Sequence, residues 1–263
     1  MKPHETVAAA IRAAADEGRT ALVAFITAGY PVRARFGATL AEVAAAADVV
    51  EVGVPFTDPM ADGLTIQRAS REALAQGVTL SWILDEIGAL QPRPAAPVLL
   101  MSYLNPLLAM GFEALAARAA AAGVAGFIVP DLPLDESAEL DAALAARGLA
   151  LVQLVSPVTP PERLAAAARA SRGFLYAVNV TGITGGATLD AGDLKAYLTR
   201  VQAASPVPVC AGFGVRRADQ VRELGEVVPG VVVGSALVEA LERGESPADF
   251  LGTLGPAPAP API

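Results

Sequence analysis

The sequence predicts a single (β/α)8 TIM barrel with an extra N-terminal helix, and three observations carry that expectation. The chain is 263 residues long, 54% apolar and 17% charged, which suits one large core of the size of an α/β barrel. Eight short β-rich runs alternate strictly with segments of helical character. Those runs are near-continuous apolar stretches, as expected of parallel strands covered on both faces.

The leading helix is read at residues 5–18, ETVAAAIRAAADEG, where it would cover the bottom of the barrel. Strands 1 to 4 are placed at ALVAFITAG (21–29), DVVEVGVP (48–55), PVLLMSYL (97–104) and AGFIVPDL (125–132). Strands 5 to 8 follow at LALVQLVS (149–156), GFLYAVNV (173–180), PVPVCAGF (206–213) and GVVVGSAL (230–237). Between them lie Ala/Leu-rich helices such as FEALAARAAAAG (112–123) and DESAELDAALAARG (135–148), the second expected to start at Asp135 ahead of an acidic first turn. A doubly wound open sheet competes, but no G-x-G-x-x-G opens a first βαβ unit. Residues 1–255 are assigned to the barrel, and PAPAPAPI (256–263) to an extended, frayed tail.

Composition removes several classes of function. A net charge of −8 and a pI near 4.8 supply no basic footprint for nucleic acid or an anionic membrane. Cys210 is the single cysteine, which rules out an internal disulfide framework and fits a reducing cytosol. The first residues lack the apolar core of a secretory signal, and no run approaches the ~18 apolar residues that cross a bilayer. A cytoplasmic location is therefore expected. The single histidine, His4, falls at a start expected to be mobile, which argues against Ser-His-Asp chemistry and histidine metal sites. Carboxylates, tyrosine, backbone amides and binding energy remain to carry any chemistry.

In such barrels function sits at the C-terminal ends of the strands and in the loops that follow. The polar residues fall there: Glu51 in strand 2, Asp62 in the next loop, Tyr103 and Asn105 at the end of strand 3, Asp131 ending strand 4, and Tyr176 in strand 6. Glycine-rich turns follow strands 6, 7 and 8 as TGITGG, AGFG and VGSA. Each alone reads as a tight turn, with Ser235 as an N-cap. Three together, at barrel positions that meet in space, point to a phosphate site at a helix N-terminus. No Lys or Arg sits in these loops, so backbone dipoles would hold the anion.

A carboxylate inside DVVEVGVP is expensive to bury without a partner. The basic residues fall mostly in helices and N-terminal strand flanks, so an ion pair for Glu51 is poorly supplied, and a catalytic role is the better reading. Asp62, in an ADG loop, is by itself an ordinary turn residue. Asp58, in TDP, reads as turn or interface, and Asp131, in PDLP, as a brace for its loop.

FITAGYP, EVGVPFTDPMADG, TIQ, YLNP, PDLP, TGITG, AGFG and VVVGSA follow one another in this order from residue 25 to residue 236. Together they resemble the signature of the tryptophan synthase α subunit family, a (β/α)8 barrel that cleaves indole-3-glycerol phosphate. The resemblance implies that Glu51 is the general acid/base, that Asp62 binds the indole N–H, and that Tyr176 lies beside the reacting glycerol. It further implies a phosphate cradle at Gly185, Gly214, Gly234 and Ser235, and substrate contacts from Phe25, Ile66, Leu100, Tyr103 and Phe213. Asp58, Pro59, Asn105 and Asp131 match positions facing a β subunit in an expected α2β2 heterotetramer. No metal and no cofactor are implied.

Three positions depart from the family pattern. Leu64 replaces a proline, which lowers the expected rigidity of the Asp62 loop; GGA stands where an arginine often follows the TG of the strand-6 loop; and VPG replaces ADG before the last strand. The first two imply weaker activation by a β subunit. Other phosphate-handling barrels would present a Lys base or paired Asp residues on strands 1 and 5, whose ends, ITAGYP and LVSPVTPP, have neither. A lyase that works alone and a non-catalytic activator of a β subunit remain as alternatives, although the presence of Glu51, Asp62 and Tyr176 speaks against the second.

Overall fold

The computed structural model of the chain describes residues 1–178, 191–212 and 214–255. Parallel strands close into a barrel in sequence order: β1 (Ala21–Thr27), β2 (Val49–Gly53), β3 (Val98–Met101), β4 (Gly126–Ile128), β5 (Ala150–Val155), β6 (Leu175–Val178), β7 (Val209–Gly212) and β8 (Gly230–Val233). The ring closes where β1 registers on β8, Ala21 against Gly230 and Ala24 against Val233.

Helix α1 (Pro3–Asp16) precedes the barrel, and α2 (Phe36–Ala46) follows β1. Two helices follow β2, α3 (Leu64–Ala75) and α4 (Leu80–Ala89), and two follow β3, α5 (Leu104–Met110) and α6 (Phe112–Ala122). The others are α7 (Ala138–Ala146), α8 (Pro161–Ala170), α9 (Ala191–Ala204), α10 (Ala218–Gly225), α11 (Ser235–Glu242) and α12 (Pro247–Thr253). Among the described residues no helix is long and apolar enough to cross a membrane.

Successive strand residues point to opposite faces, while registered residues of neighbouring parallel strands share one. The strands therefore build two cores. Val50, Val52, Leu100, Phe127, Leu151, Leu175 and Val231 face outward and pack under the helices. Val23, Val49, Leu99, Ala150, Val152, Phe174 and Cys210 face inward and fill the lower barrel. This double burial is why the strands read as unbroken apolar runs.

Helix α1 completes the inner core. Val7, Ile11 and Ala14, on one face at helical spacing, are fully buried against those inward residues. The start of the chain is anchored, contrary to its expected mobility: the His4 N–H donates to the Gly148 carbonyl at 3.0 Å, and His4 Nδ1 lies 2.8 Å from the same oxygen. Among the described residues the lower end is thus packed, and the cavity lies at the C-terminal ends of the strands.

Boundaries shift where turn geometry overrides apolar pattern. The run at 230–237 stops being strand at Val233, because Gly234 turns the chain and α11 begins at Ser235. The helix expected at Asp135 begins at Ala138; Leu134–Glu136 form a short 3-10 turn, and Glu139 and Asp141 supply the acidic first turn. The expected tail, 256–263, lies outside the described residues.

If α1 seals the barrel by packing, Ile11→Ala should cost about 2–5 kcal/mol, the range for large-to-small core changes. Chemical denaturation should show that loss, with catalysis retained at temperatures where the variant stays folded.

Candidate active site

Glu51 is the central residue of β2, registered on Phe25 of β1 and Leu99 of β3, with its side chain inside the barrel. It is 0% exposed, and neither carboxylate oxygen has a hydrogen-bond partner among the described residues. Removal from water pushes its pKa from 4.5 up to about 8, and the charge of Asp62 adds to the rise. An acid so placed holds its proton at neutral pH, ready to be delivered.

Asp62 reaches the same space from the loop between β2 and α3. Burial raises its pKa from 3.8 to about 6, and a hydrogen bond from the Tyr103 hydroxyl opposes that rise. The same hydroxyl accepts the Ala61 N–H at 2.8 Å, and Gln67 Nε2 donates to the Asp62 carbonyl at 2.8 Å. Tyr103 itself is buried at the N-cap of α5, stacked on Phe56 with ring centroids 5.0 Å apart. Two carboxyls thus share one cavity at different acidities, one protonated and one ionised near pH 7.

Tyr176, inward on β6, is buried, and desolvation first, then the neighbouring acidic groups Glu51, Cys210 and Asp62, push its pKa up, so its hydroxyl stays neutral. Gly212 of β7 makes room for it: a Cβ there would lie 2.5 Å from Tyr176 Cε2. Gly53 does the same for Phe25, whose Cζ would lie 2.5 Å from an added Cβ.

The space enclosed is a cavity of about 910 Å³ at the C-terminal face. Phe25, Glu51, Asp62, Ile66, Tyr176, Gly214, Gly234 and Ser235 line it together, and no Lys or Arg is among its described lining residues. Tyr103 lines an adjoining recess with Phe25, Asp62, Ile66 and Met101. In the same lining, α11 starts at Ser235; its first helical bonds run from the Leu237 and Val238 N–H groups to the Gly234 carbonyl. Ser235 is thus the first residue of the helix rather than its cap, which leaves the Ser235 and Ala236 N–H groups without a helical acceptor at the cavity that Ser235 lines.

The other sequence expectations fall elsewhere. Leu100 does not line the cavity: it is 0% exposed, registered on Phe127, and packed outward under the helices. Its neighbour Met101 faces inward and takes that place, because one residue along a strand reverses the face. Asp58 is exposed and accepts the Thr57 hydroxyl at 2.5 Å, and Pro59 is half-buried beside it. Asn105 is exposed on α5 rather than at a strand end. Asp131, also exposed, accepts the Leu104 N–H at 2.9 Å and so caps α5 from the loop after β4. Gly185 and Phe213 lie outside the described residues. Met101 and Gly212 are the residues that sequence reasoning missed; the inward parity of Leu99 would have found the first.

A family profile described as tryptophan synthase alpha chain matches residues 11–251. The chain belongs to the tryptophan synthase α chain family. The tryptophan synthase alpha chain of Laribacter hongkongensis (strain HLHK9) is 48% identical over 236 residues, 89% of this chain and 88% of that one. That of Nitratidesulfovibrio vulgaris (strain DP4) is 45% identical over 245 residues, 92% of this chain and 94% of its own length. Among solved structures, Mycobacterium tuberculosis tryptophan synthase superposes with a TM-score of 0.86 at 37% identity, covering 94% of this chain and 96% of that chain. Tryptophan synthase subunit alpha from Legionella pneumophila superposes with a TM-score of 0.85 at 31% identity, covering 96% and 95%. The chain is an enzyme of tryptophan biosynthesis, a carbon–carbon lyase that cleaves indole-3-glycerol phosphate to indole and glyceraldehyde 3-phosphate, and its family pairs with a β subunit.

The buried acid has a thermodynamic signature. Unfolded, Glu51 ionises near 4.5; folded, near 8. Between those values the folded chain holds the extra proton, so rising pH favours unfolding, and this loss is complete above the folded value. Glu51→Gln removes it. The melting temperature of the variant relative to the native chain should therefore climb from about pH 4.5 to about pH 8 and then level off, which thermal unfolding across that window checks.

Proposed function

We propose that Glu51 is the general acid and base of the cleavage, that Asp62 stabilises charge on the indole ring, and that the first turn of α11 grips the phosphate. The observation that carries this is the pair of unequal acids in one cavity: Glu51 pushed to about 8 and Asp62 to about 6.

The chemistry follows from those states. The C–C bond cannot break while the ring would leave as a carbanion, so C3 of the indole must first gain a proton. Protonated Glu51 supplies it. The positive charge then falls on the ring nitrogen, whose N–H faces ionised Asp62. Glu51, now a carboxylate, takes the proton of the glycerol hydroxyl, directly or through Tyr176. The hydroxyl oxygen's electrons form the aldehyde carbonyl, the C–C pair returns to the ring, and indole leaves with glyceraldehyde 3-phosphate. The phosphate lies remote from the bond broken, so its binding energy serves to position the reacting carbon.

The second element of the proposal is the partner. A β subunit docks on the segments carrying Asp58, Pro59, Asn105 and Asp131, within an α2β2 assembly in the cytoplasm. Two of those segments bear exposed apolar side chains: Met60 at 72% exposure and Leu64 at 84% in the first, Leu108 at 52% in the second. Apolar surface of this kind favours an interface.

Release of indole from indole-3-glycerol phosphate tests the assignment. Glu51→Gln should lower kcat by about 10²–10⁴-fold, the usual worth of general acid–base catalysis, and Asp62→Asn should also be severely impaired. Gly234→Asp should instead raise KM, because it sets a like charge against the phosphate. The nearest atom to a Cβ added at Gly234 is Phe25 Cβ, at 3.7 Å, an ordinary contact distance. A Glu51→Gln variant that keeps more than about a tenth of native kcat would contradict the general-acid role.

A further inference from the structure

We propose that Glu239 is a positioning residue that couples the anion end of the cavity to the placement of Asp62 through the hydroxyl of Thr65. The proposal rests on the catalytic reading of Glu51 and Asp62 and deepens it.

Thr65 lies in the first turn of α3, three positions beyond Asp62. Its Oγ1 donates to Glu239 Oε1 at 3.0 Å. Glu239 stands on α11 four positions, about one turn, beyond Ser235. Arg216, on the segment after β7, donates to both oxygens of the same carboxylate, at 2.7 Å and 3.0 Å. That bidentate grip keeps the carboxylate ionised, its pKa lowered to about 2, so it stays an acceptor at any working pH. One side chain thus joins the segments after β2, β7 and β8, which carry Asp62, Gly214, and Gly234 with Ser235.

Apart from Gln67 Nε2, which ties the Asp62 carbonyl to α3 itself, and the buried Ile66, the start of α3 has few other anchors. Its N-cap, Gly63, offers no side-chain cap, and Leu64 is 84% exposed. The Arg68–Glu242 pair, farther along the same two helices, is partly exposed and so weakly constraining. Ahead of Asp62 the loop is pinned by the Tyr103 hydroxyl; behind it, by Glu239. An anion seated on the first turn of α11 fixes that helix, and Glu239 passes the constraint one turn along to Thr65 and the Asp62 loop. Binding energy at the phosphate is thereby spent on placing the second acid.

The test compares Thr65→Val, which keeps shape but loses the donor, with Thr65→Ser, which keeps the donor. Both full-length variants, with Glu239→Gln, are assayed for indole release, for inhibition by inorganic phosphate, and for the pH dependence of kcat/KM. Thr65→Val should lose about 10–100-fold in kcat, the scale of a misplaced catalytic group, with phosphate inhibition unchanged and the acid limb moved from that of the native chain. Thr65→Ser should keep both native kcat and the native acid limb, and Glu239→Gln, whose amide oxygen can still accept from Thr65 but which loses the bidentate grip of Arg216, should fall between Thr65→Ser and Thr65→Val. Equal kcat in the Val and Ser variants, or a loss confined to melting temperature, overturns the tether. If Glu51→Gln is inactive while Thr65→Val is native-like, only the tether fails; if Glu51→Gln is active, the catalytic reading fails first.

Discussion

A carboxyl group with no partner inside an apolar barrel is the constraint from which the rest of the site follows. Ionised, Glu51 would carry an unpaired charge at 0% exposure, a state far too costly to hold. It therefore keeps its proton, and the surroundings preserve that condition. Helix α1 closes the lower end with Val7, Ile11 and Ala14, so the space below Glu51 is packed rather than wet. The registered neighbours Phe25 and Leu99 are apolar. The charge of Asp62 is negative and pushes the Glu51 pKa in the same direction as burial.

The same constraint explains how the anion end is built. A lysine or arginine gripping the phosphate within this cavity would favour ionised Glu51 and lower its pKa, since an opposite charge acts strongly in a poorly hydrated space. The described lining contains neither. Backbone N–H groups at the start of α11, backed by the helix dipole, attract an anion with partial charges only. Arg216, on the segment after β7, is neutralised by Glu239. Acid strength and anion affinity, which a charged side chain would set in conflict, are thereby kept separate. The division between strand and loop has a similar logic: the proton donor sits on the rigid barrel, and the ionised acid on a segment held by hydrogen bonds from its neighbours.

Much of this was legible in the sequence, and particular residues show where legibility ends. The eight apolar runs gave the barrel because parallel strands hide both faces. Glu51 stood out because an acid within such a run must be either paired or used, and few bases were placed to pair it. Leu100 failed because a continuous apolar run conceals which residues face inward; parity is visible only once the register fixes Glu51 and Leu99 on the inner face. Gly212 could not be told from a turn glycine, since its reason for being glycine is the ring of Tyr176 on the next strand. The bonds of Tyr103 to Ala61 and Asp62, which tie the end of β3 to the loop after β2, leave no trace in the local sequence either. The Thr65–Glu239 link spans 174 positions and leaves no local pattern at all.

The central claim is that Glu51 is a neutral acid at the pH where the enzyme works. Difference infrared spectroscopy of the native chain against Glu51→Gln reads this directly through the carboxyl stretch. A neutral Glu51 gives a protonated-carboxyl band at pH 6–7 that is absent from the variant and titrates away as pH passes about 8. A carboxylate band for Glu51 already present at pH 6 would contradict it.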